Sequence, residues 1–338
     1  MRRRTPSPSA GQVAAGRSFV SNAGLTWSCM SDFYALALFS LFVLGLLALD
    51  LRLTGRRDHP VSFRQATLLS SVWVALSLAF NVAIYYWRGP QPALEFLTGY
   101  VLEKSLSLDN VFAFAAVFSY AAVPAAYQHK VLLWGVLGAL AIRGVLIVTG
   151  VALVSRFHWV LYGFGLFLLL TGAKTLTGKP RPVDFERNPA LRLARRLFPI
   201  TEGYEGSAFF VRRGGRVMAT PLLLVVVVVE TVDLLFALDS IPAIFAVTLD
   251  PFIVYTSNVF AVLGLRAMYF FLGGALARFR YLRAGISVIL MFVGVKMLLL
   301  HFFRIPILLT LGIISAAVAV AIFASVRRSG DAQAGHSK

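Results

Sequence analysis

Residues 103–114, EKSLSLDNVFAF, place two acids six positions apart inside an apolar segment, and residues 230–245, ETVDLLFALDSIPAIF, repeat that spacing. The acids of the two stretches are Glu103, Asp109, Glu230, Asp233 and Asp239. On insertion scales, one charged side chain at the centre of a bilayer costs roughly 2.5 to 3.5 kcal/mol. We therefore expect these acids to face protein, water or one another rather than lipid.

Two further matches follow these stretches in the same order. They are LGALAIRG around Arg143 with AVLGLRAM around Arg266, and TGAKTL around Lys174 with VGVKML around Lys296. The arginine follows the second acid by 34 residues in one copy and 27 in the other, and the lysine follows the arginine by 31 and 30. A unit of three spans enters the membrane from opposite sides in successive copies. The pattern predicts an inverted-topology repeat, which is common among secondary transporters.

The composition places the repeat in a membrane protein. Of 338 residues, 58% are hydrophobic and 14% are charged, whereas a soluble domain carries about 25% charged residues. We predict an all-α, polytopic fold of nine transmembrane helices, each long enough to cross a bilayer. The predicted spans are 33–53, 66–87, 93–119, 129–154, 158–177, 218–247, 252–276, 282–303 and 305–326.

The net charge is +17. Most of the basic residues lie in loops on one predicted side of the membrane, so the excess does not indicate a nucleic-acid-binding protein. With nine spans and the C-terminus inside, the inner segments hold 20 basic residues and the outer segments hold 7. The positive-inside rule therefore predicts an outer N-terminus and a cytoplasmic C-terminus.

The predicted organisation has a disordered extension over residues 1–30, a transmembrane domain over 31–328 and a polar tail over 329–338. Within the domain, repeat one covers 93–177, a cytoplasmic loop covers 178–217 and repeat two covers 218–303. Met30 is a candidate start of the native chain. In the loop, Asn188-Pro189 followed by ALRLARRLF predicts a basic amphipathic helix, which lies on anionic lipid or forms a partner site.

Five bases in the spans match the five acids in number: Lys104, Arg143, Lys174, Arg266 and Lys296. Equal numbers predict a paired resting state. Six residues on a straight helix leave about 120° between side chains. Two acids of one copy therefore reach one cavity if the helix is broken or if the cavity spans that arc. Pro242 and the polar residues around Asp109 make a break plausible.

Carboxylates with serine and asparagine oxygens suit Mn²⁺, Mg²⁺ or Ca²⁺. The single cysteine, Cys29, excludes an intramolecular disulfide and a CxxC site, and the histidines lie outside the span interiors. The same carboxylates can exchange a metal against protons. The sequence shows no nucleophile and base pair and no phosphate loop, so we predict neither an enzyme nor a tightly bound cofactor.

At these residues the chain resembles the TerC family, named for tellurium-ion resistance, and within it the Alx-like branch. The resemblance rests on GYVLEKSLSLDNVFAF, on FSYAAVPAAYQHKVLLWGVLGALAIRG, on the stretch from FFVRRGG to RAMYFFL, and on GVKMLL. It covers residues 35–325.

The resemblance implies an inner-membrane protein of about nine helices with the architecture of LysE-type exporters. It implies manganese efflux and a response to alkaline pH or metal stress, with older labels of tellurite resistance and redox modulation. The family's motif residues correspond to Glu103, Asp109, Asn110, Glu230, Asp233, Asp239 and Ser240.

The leading hypothesis is a secondary transporter that exports Mn²⁺ or a related hard divalent cation through an acidic midplane site. The alternative is a non-transporting membrane scaffold or stress-response subunit whose buried charges are structural. The expected partners are membrane lipids, the cation and protons. The sequence does not determine the oligomeric state.

Overall fold

The structure is a computed structural model that describes residues 34–49, 63–178, 188–272, 281–303 and 305–334. The chain divides into two compact units, residues 1–58 and residues 59–338. In the first unit the structure describes one apolar helix, α1 (Tyr34–Leu49). The predicted extension, residues 1–30 with Cys29 and Met30, lies outside the described residues.

The second unit is a helical bundle with one short hairpin. Its helices are α2 (Phe63–Arg88), α3 (Pro90–Tyr120), α4 (Ala125–Arg156), α5 (Val160–Thr177), α6 (Pro189–Leu197), α7 (Pro221–Phe245), α8 (Pro251–Leu263), α9 (Leu265–Leu272), α10 (Leu282–Leu298) and α11 (Ile307–Ala334). The strands β1 (Phe210–Arg213) and β2 (Arg216–Ala219) pair antiparallel.

Prolines begin several of these helices. Pro90, Pro221 and Pro251 each occupy the first turn of a helix, where the missing N–H would have no helical partner. Asp250 also caps α8, because its carboxylate accepts from the backbone N–H groups of Phe252 and Ile253 at 2.9 and 3.3 Å. These helix starts lie within three residues of the starts of the predicted spans 93–119, 218–247 and 252–276.

Six helical segments are long and apolar enough to cross a membrane: Phe63–Arg88, Ala125–Arg156, Val160–Thr177, Pro221–Phe245, Pro251–Leu272 and Ile307–Ser325. The described residues place helices within all nine predicted spans. However, α3 carries several charges, and α1 and α10 are shorter than the other spans. The all-α, multi-pass class is confirmed, while the count of nine crossings stays a prediction.

The bundle is organised around α3, α4, α7 and α8. The closest helix pairs are α5 with α10, α3 with α8 and α4 with α7. Within α8, every residue from Phe252 to Leu263 except Tyr255 is buried. Each of these four helices also contributes buried polar side chains, among them Glu103, Arg143, Asp233 and Asn258.

The loop between α5 and α7 contains the predicted amphipathic helix. The side chain of Asn188 accepts from the backbone N–H groups of Ala190 and Leu191, and Leu191 is buried. The three arginines of α6 are exposed. Leu193 and Leu197 are exposed as well, so the predicted helix is present, while its placement on lipid or at a partner stays a prediction.

The hairpin that follows α6 was not predicted from the sequence. It turns at Gly214-Gly215, both with positive φ, as a two-residue hairpin turn requires. The Tyr204 hydroxyl donates to the backbone oxygen of Ala121 at 2.7 Å, and this bond ties the loop to the end of α3. Burial raises the pKa of Tyr204, so the hydroxyl keeps the proton that it donates.

Candidate cation site

Acids from α3 and α7 line one cavity of about 310 Å³. Glu103 and Asp109 come from α3, and Asp239 comes from α7. The other lining residues are Leu106, Asn110, Arg143, Thr175, Phe236, Ser240, Arg283, Ile286 and Leu290. Acids from both acid-bearing helices therefore share one cavity, whose lining also contains apolar side chains and two arginines.

The cavity spans the arc between the two acids of α3. α3 runs unbroken from Pro90 to Tyr120, yet both Glu103 and Asp109 line the cavity. α7 likewise continues through Pro242 to Phe245. Of the two routes open on sequence grounds, the wide cavity is the one seen, and neither helix is interrupted at Pro242 or around Asp109.

Asp109 and Asp239 form the more accessible part of the site. Both side chains are partly exposed, and the two lie close enough to repel each other. Arg283 attracts Asp109 across the same cavity. Neither carboxylate accepts a hydrogen bond from a described residue, so the pair presents its oxygens to the cavity.

Arg143 organises the buried part of the site. Its Nη1 donates to Oε1 of Glu103, and its Nε lies 3.5 Å from Oδ2 of Asp233. The same Nη1 donates to Oδ1 of Asn258 at 2.9 Å and contacts Ser240 Oγ at 3.4 Å. Arg143 is 1% exposed, so these contacts hold a guanidinium that has no access to bulk water.

Asn110 links the two acid-bearing helices directly, because its Nδ2 donates to Oδ1 of Asp233 at 3.0 Å. Oε2 of Glu103 and the Ser107 hydroxyl are buried with no hydrogen-bond partner, while Oδ2 of Asp233 has only the 3.5 Å ion pair with Arg143, whose Nε and Nη2 also lack a hydrogen-bond acceptor. Buried oxygens left unpaired cost about 1 to 3 kcal/mol each. The polar centre therefore retains acceptor capacity of the kind a hard cation uses.

Glu230 lies outside the cavity lining. Its carboxylate lies against Gly138 of α4, and its Oε2 is buried without a hydrogen-bond partner. Among the described residues, no three histidine, cysteine, aspartate or glutamate side chains converge as a ready-made metal centre. The predicted seven-residue set is thus only partly brought together, because Asp233 pairs with Arg143 outside the cavity lining and Glu230 lies apart.

The five predicted counter-charges do not pair one to one with the acids. Arg143 holds two acids, Lys104 donates to the backbone oxygen of Ala261 at 3.3 Å and Lys296 donates to Thr310 Oγ1 at 3.0 Å. Arg266 contacts His129 at 3.0 Å, and Lys174 is exposed. The expected pairing is wrong in this form, because a guanidinium can serve several acceptors at once.

Three residues of the site were missed by sequence reasoning: Thr175, Asn258 and Arg283. Asn258 follows Thr256 and Ser257 within an apolar span, and that polar run was a usable signal. Arg283 lies at the start of the predicted span 282–303 but is not among the five predicted counter-charges. Its place in the cavity depends on how α10 packs against α3 and α7, which no local pattern specifies.

Comparison with known proteins gives the family. The model of the integral membrane protein TerC family matches residues 88–332. An uncharacterized membrane protein of Myxococcus xanthus is 48% identical over 291 residues, covering 86% of this chain and 91% of that protein. The candidate membrane-bound redox modulator Alx of Escherichia coli strain K12 is 49% identical over 286 residues, covering 82% and 89%.

A membrane protein of Rickettsia bellii is 38% identical over 291 residues, covering 86% of this chain and 96% of that protein. No solved structure matches the chain. Each alignment includes most of both chains, so the similarity is not confined to one motif. The protein therefore belongs to the TerC family of integral membrane proteins.

Proposed function

We propose that the protein is a secondary transporter that exports Mn²⁺ or a related hard divalent cation. The observation that carries the proposal is one cavity lined by Asp109 of α3 and Asp239 of α7, two acids at matching positions of the sequence repeat. Carboxylates that only join helices would be covered by partners. These two are partly exposed, as a site that loads and releases an ion requires.

The proposed ligands are oxygens throughout. Asp109, Asp239, Glu103, Asn110 and Ser240 line the cavity. Asp233 joins this group through Arg143 and Asn110, and Glu230 would act only after a rearrangement of α4 against α7. Carboxylate, amide and hydroxyl oxygens with water suit Mn²⁺ or Mg²⁺ better than a soft metal.

The charge of the site favours a divalent ion. Glu103, Asp109 and Asp239 line the cavity with Arg143 and Arg283, and Asp233 pairs with Arg143 outside that lining. When all six groups are ionised, the formal charge is −2, and one divalent cation neutralises it. A neutral loaded site crosses a low-dielectric region more easily than a charged one.

The helix contacts support the proposed inverted repeat. A two-fold axis that exchanges α3 with α7, α4 with α8 and α5 with α10 would turn the α3–α8 contact into the α7–α4 contact. Both contacts are among the most extensive in the bundle, and α5 and α10 pack on each other. These are the pairings that two equivalent, oppositely threaded units produce.

Glycines at the α5–α10 contact show the same reciprocity. A Cβ on Gly172 would lie 2.8 Å from the Ser287 oxygen and 3.0 Å from the Met291 nitrogen. A Cβ on Gly294 would lie 2.7 Å from both the Gly165 oxygen and the Leu169 nitrogen. Each residue of the first contact is 122 positions from its counterpart in the second, as in a contact across a two-fold axis.

We place the protein in the inner membrane with nine crossings, the N-terminus outside and the C-terminus cytoplasmic. The basic-residue bias supports this orientation. Thr175 lies near the end of α5 and Arg283 near the start of α10, at the bundle end from which the long loop leaves. The cavity would thus load from the cytoplasm, as export requires.

A non-transporting scaffold or stress-response subunit is the second candidate. The Arg143 cluster supports it, because a buried guanidinium with two acids also fixes helix positions. The name of the Escherichia coli relative suggests redox modulation, but a chain with the single cysteine Cys29 cannot form an internal disulfide. The cavity favours transport over both.

Asp109→Asn and Asp239→Asn separate these functions. We expect each variant to remain in the membrane and to lose at least about tenfold in Mn²⁺ flux, because a carboxylate ligand becomes neutral. Uptake of radioactive manganese into inverted vesicles, with an imposed pH gradient and with magnesium and calcium as competitors, measures the loss. Glu202→Gln, an exposed acid of the loop, is the matched control.

Wild-type vesicles that accumulate no cation above vesicles lacking the protein would contradict the transporter. Asparagine variants that retain full flux would remove these two acids from the site. A scaffold predicts loss of assembly in the same variants with no flux to lose.

A further inference from the structure

Among the described residues that line the cavity, Arg283 is the positive charge at the end of the bundle near Thr175. It is the second residue of α10 and lines the cavity together with Asp109 and Asp239. It attracts Asp109 electrostatically, but unlike Arg143 it forms no close ion pair with a described carboxylate. The flexible side chain of Arg283 thus places a positive charge beside two acids that repel each other.

The repeat has no second copy of this arginine. The offset of 122 residues that relates α10 to α5 places Leu161 at the position equivalent to Arg283. Leu161 lies at the start of α5, whereas the cavity reaches the end of α5 at Thr175. The repeat therefore has an arginine at this position of α10 and a leucine at the equivalent position of α5.

We propose that Arg283 is a built-in competitor for the transported cation, an inference that rests on the proposed function. With the cation absent, the guanidinium offsets part of the repulsion between Asp109 and Asp239. With the cation bound, the guanidinium is repelled toward the cavity mouth. Arg283 thereby weakens cation binding and speeds release, and its one-sided position makes this effect specific to the loop end of the site.

Binding of Mn²⁺ to the purified full-length protein tests the inference, with free Mn²⁺ read by electron paramagnetic resonance. We expect Arg283→Gln to bind Mn²⁺ at least about fivefold more tightly, since a nearby positive charge is removed from a low-dielectric site. Arg283→Lys keeps the charge and should stay within about twofold of wild type. Arg196→Gln, an exposed arginine of α6, is the matched control.

Measurements of Mn²⁺ transport by the same variants distinguish a change in affinity from a change in turnover. Arg283→Gln should lower both KM and kcat for Mn²⁺ in vesicles, because tighter binding slows release. If the Arg283→Gln protein does not insert into the membrane, Arg283→Met is measured in its place. Methionine removes the charge and keeps an apolar side chain of similar length. Unchanged or weaker Mn²⁺ binding in the charge-removing variant would overturn the competitor role. Absence of Mn²⁺ binding in the wild type would instead overturn the proposed function and the competitor role with it.

Discussion

Arg143 unites acids that are distant in the sequence. Glu103 precedes it by 40 residues and Asp233 follows it by 90, yet both lie within ion-pair distance of its guanidinium. Removing one member of a buried charge cluster leaves the others uncompensated, which typically costs about 3 to 5 kcal/mol. The residue that serves most partners should therefore matter most for stability.

Arg143→Gln should destabilise the folded protein more than Glu103→Gln. The first change removes the ion-pair partner of two buried carboxylates, whereas the second leaves the ion pair between Arg143 and Asp233 in place. Thermal unfolding in detergent measures the order, and the Glu103→Gln, Arg143→Gln double variant should recover part of the loss. A melting temperature lowered equally by both single changes would show that Arg143 does not serve both acids.

At the level of elements, glycines set how closely α5 and α10 approach. Gly172 and Gly294 leave room for backbone atoms of the facing helix, whereas Gly163 of α5 has nothing within 4 Å of an added Cβ. Small residues that let two backbones meet are the usual means of helix association in membranes. The two helices close one side of the proposed site, since Thr175 and Arg283 belong to them.

Gly294→Ala should lower stability by about 1 to 3 kcal/mol, because the new methyl meets backbone rather than a movable side chain. Gly163→Ala is the control and should be neutral or slightly stabilising, since alanine favours a helix. Thermal unfolding of both variants in the same detergent compares them. A Gly294→Ala protein as stable as wild type would mean that α5 and α10 can separate without loss.

At the scale of the whole molecule, membrane orientation decides the direction of transport. The cavity reaches the bundle end that bears the long loop, and that loop contains three exposed arginines in α6. If this end is cytoplasmic, the site described here faces the compartment from which an exporter takes its cargo.

A C-terminal green fluorescent protein fusion should therefore fluoresce, and a C-terminal alkaline phosphatase fusion should be inactive, because both report a cytoplasmic end. The same pair of fusions placed in the loop after Glu202 should give the same result. An active phosphatase at either position would reverse the orientation and make the cavity an outward-facing one.

The sequence by itself determined the membrane class, the family, most helix boundaries and the acids Glu103, Asp109 and Asp239 that line the cavity. These follow from local physics: apolar length fixes spans, proline fixes helix starts at Pro90 and Pro251, and charge inside lipid marks functional positions. The turn at Gly214-Gly215 was also locally encoded, although the hairpin was not predicted.

Only the tertiary structure decided which charges meet. Equal numbers of acids and bases suggested pairs, but Arg143 holds Glu103 and Asp233 together while Lys104 bonds to a backbone oxygen. Arg283 joined the cavity and Glu230 did not. Partner choice depends on helix rotation and close approach across distant segments, and neither quantity is present in the spacing of residues along one chain.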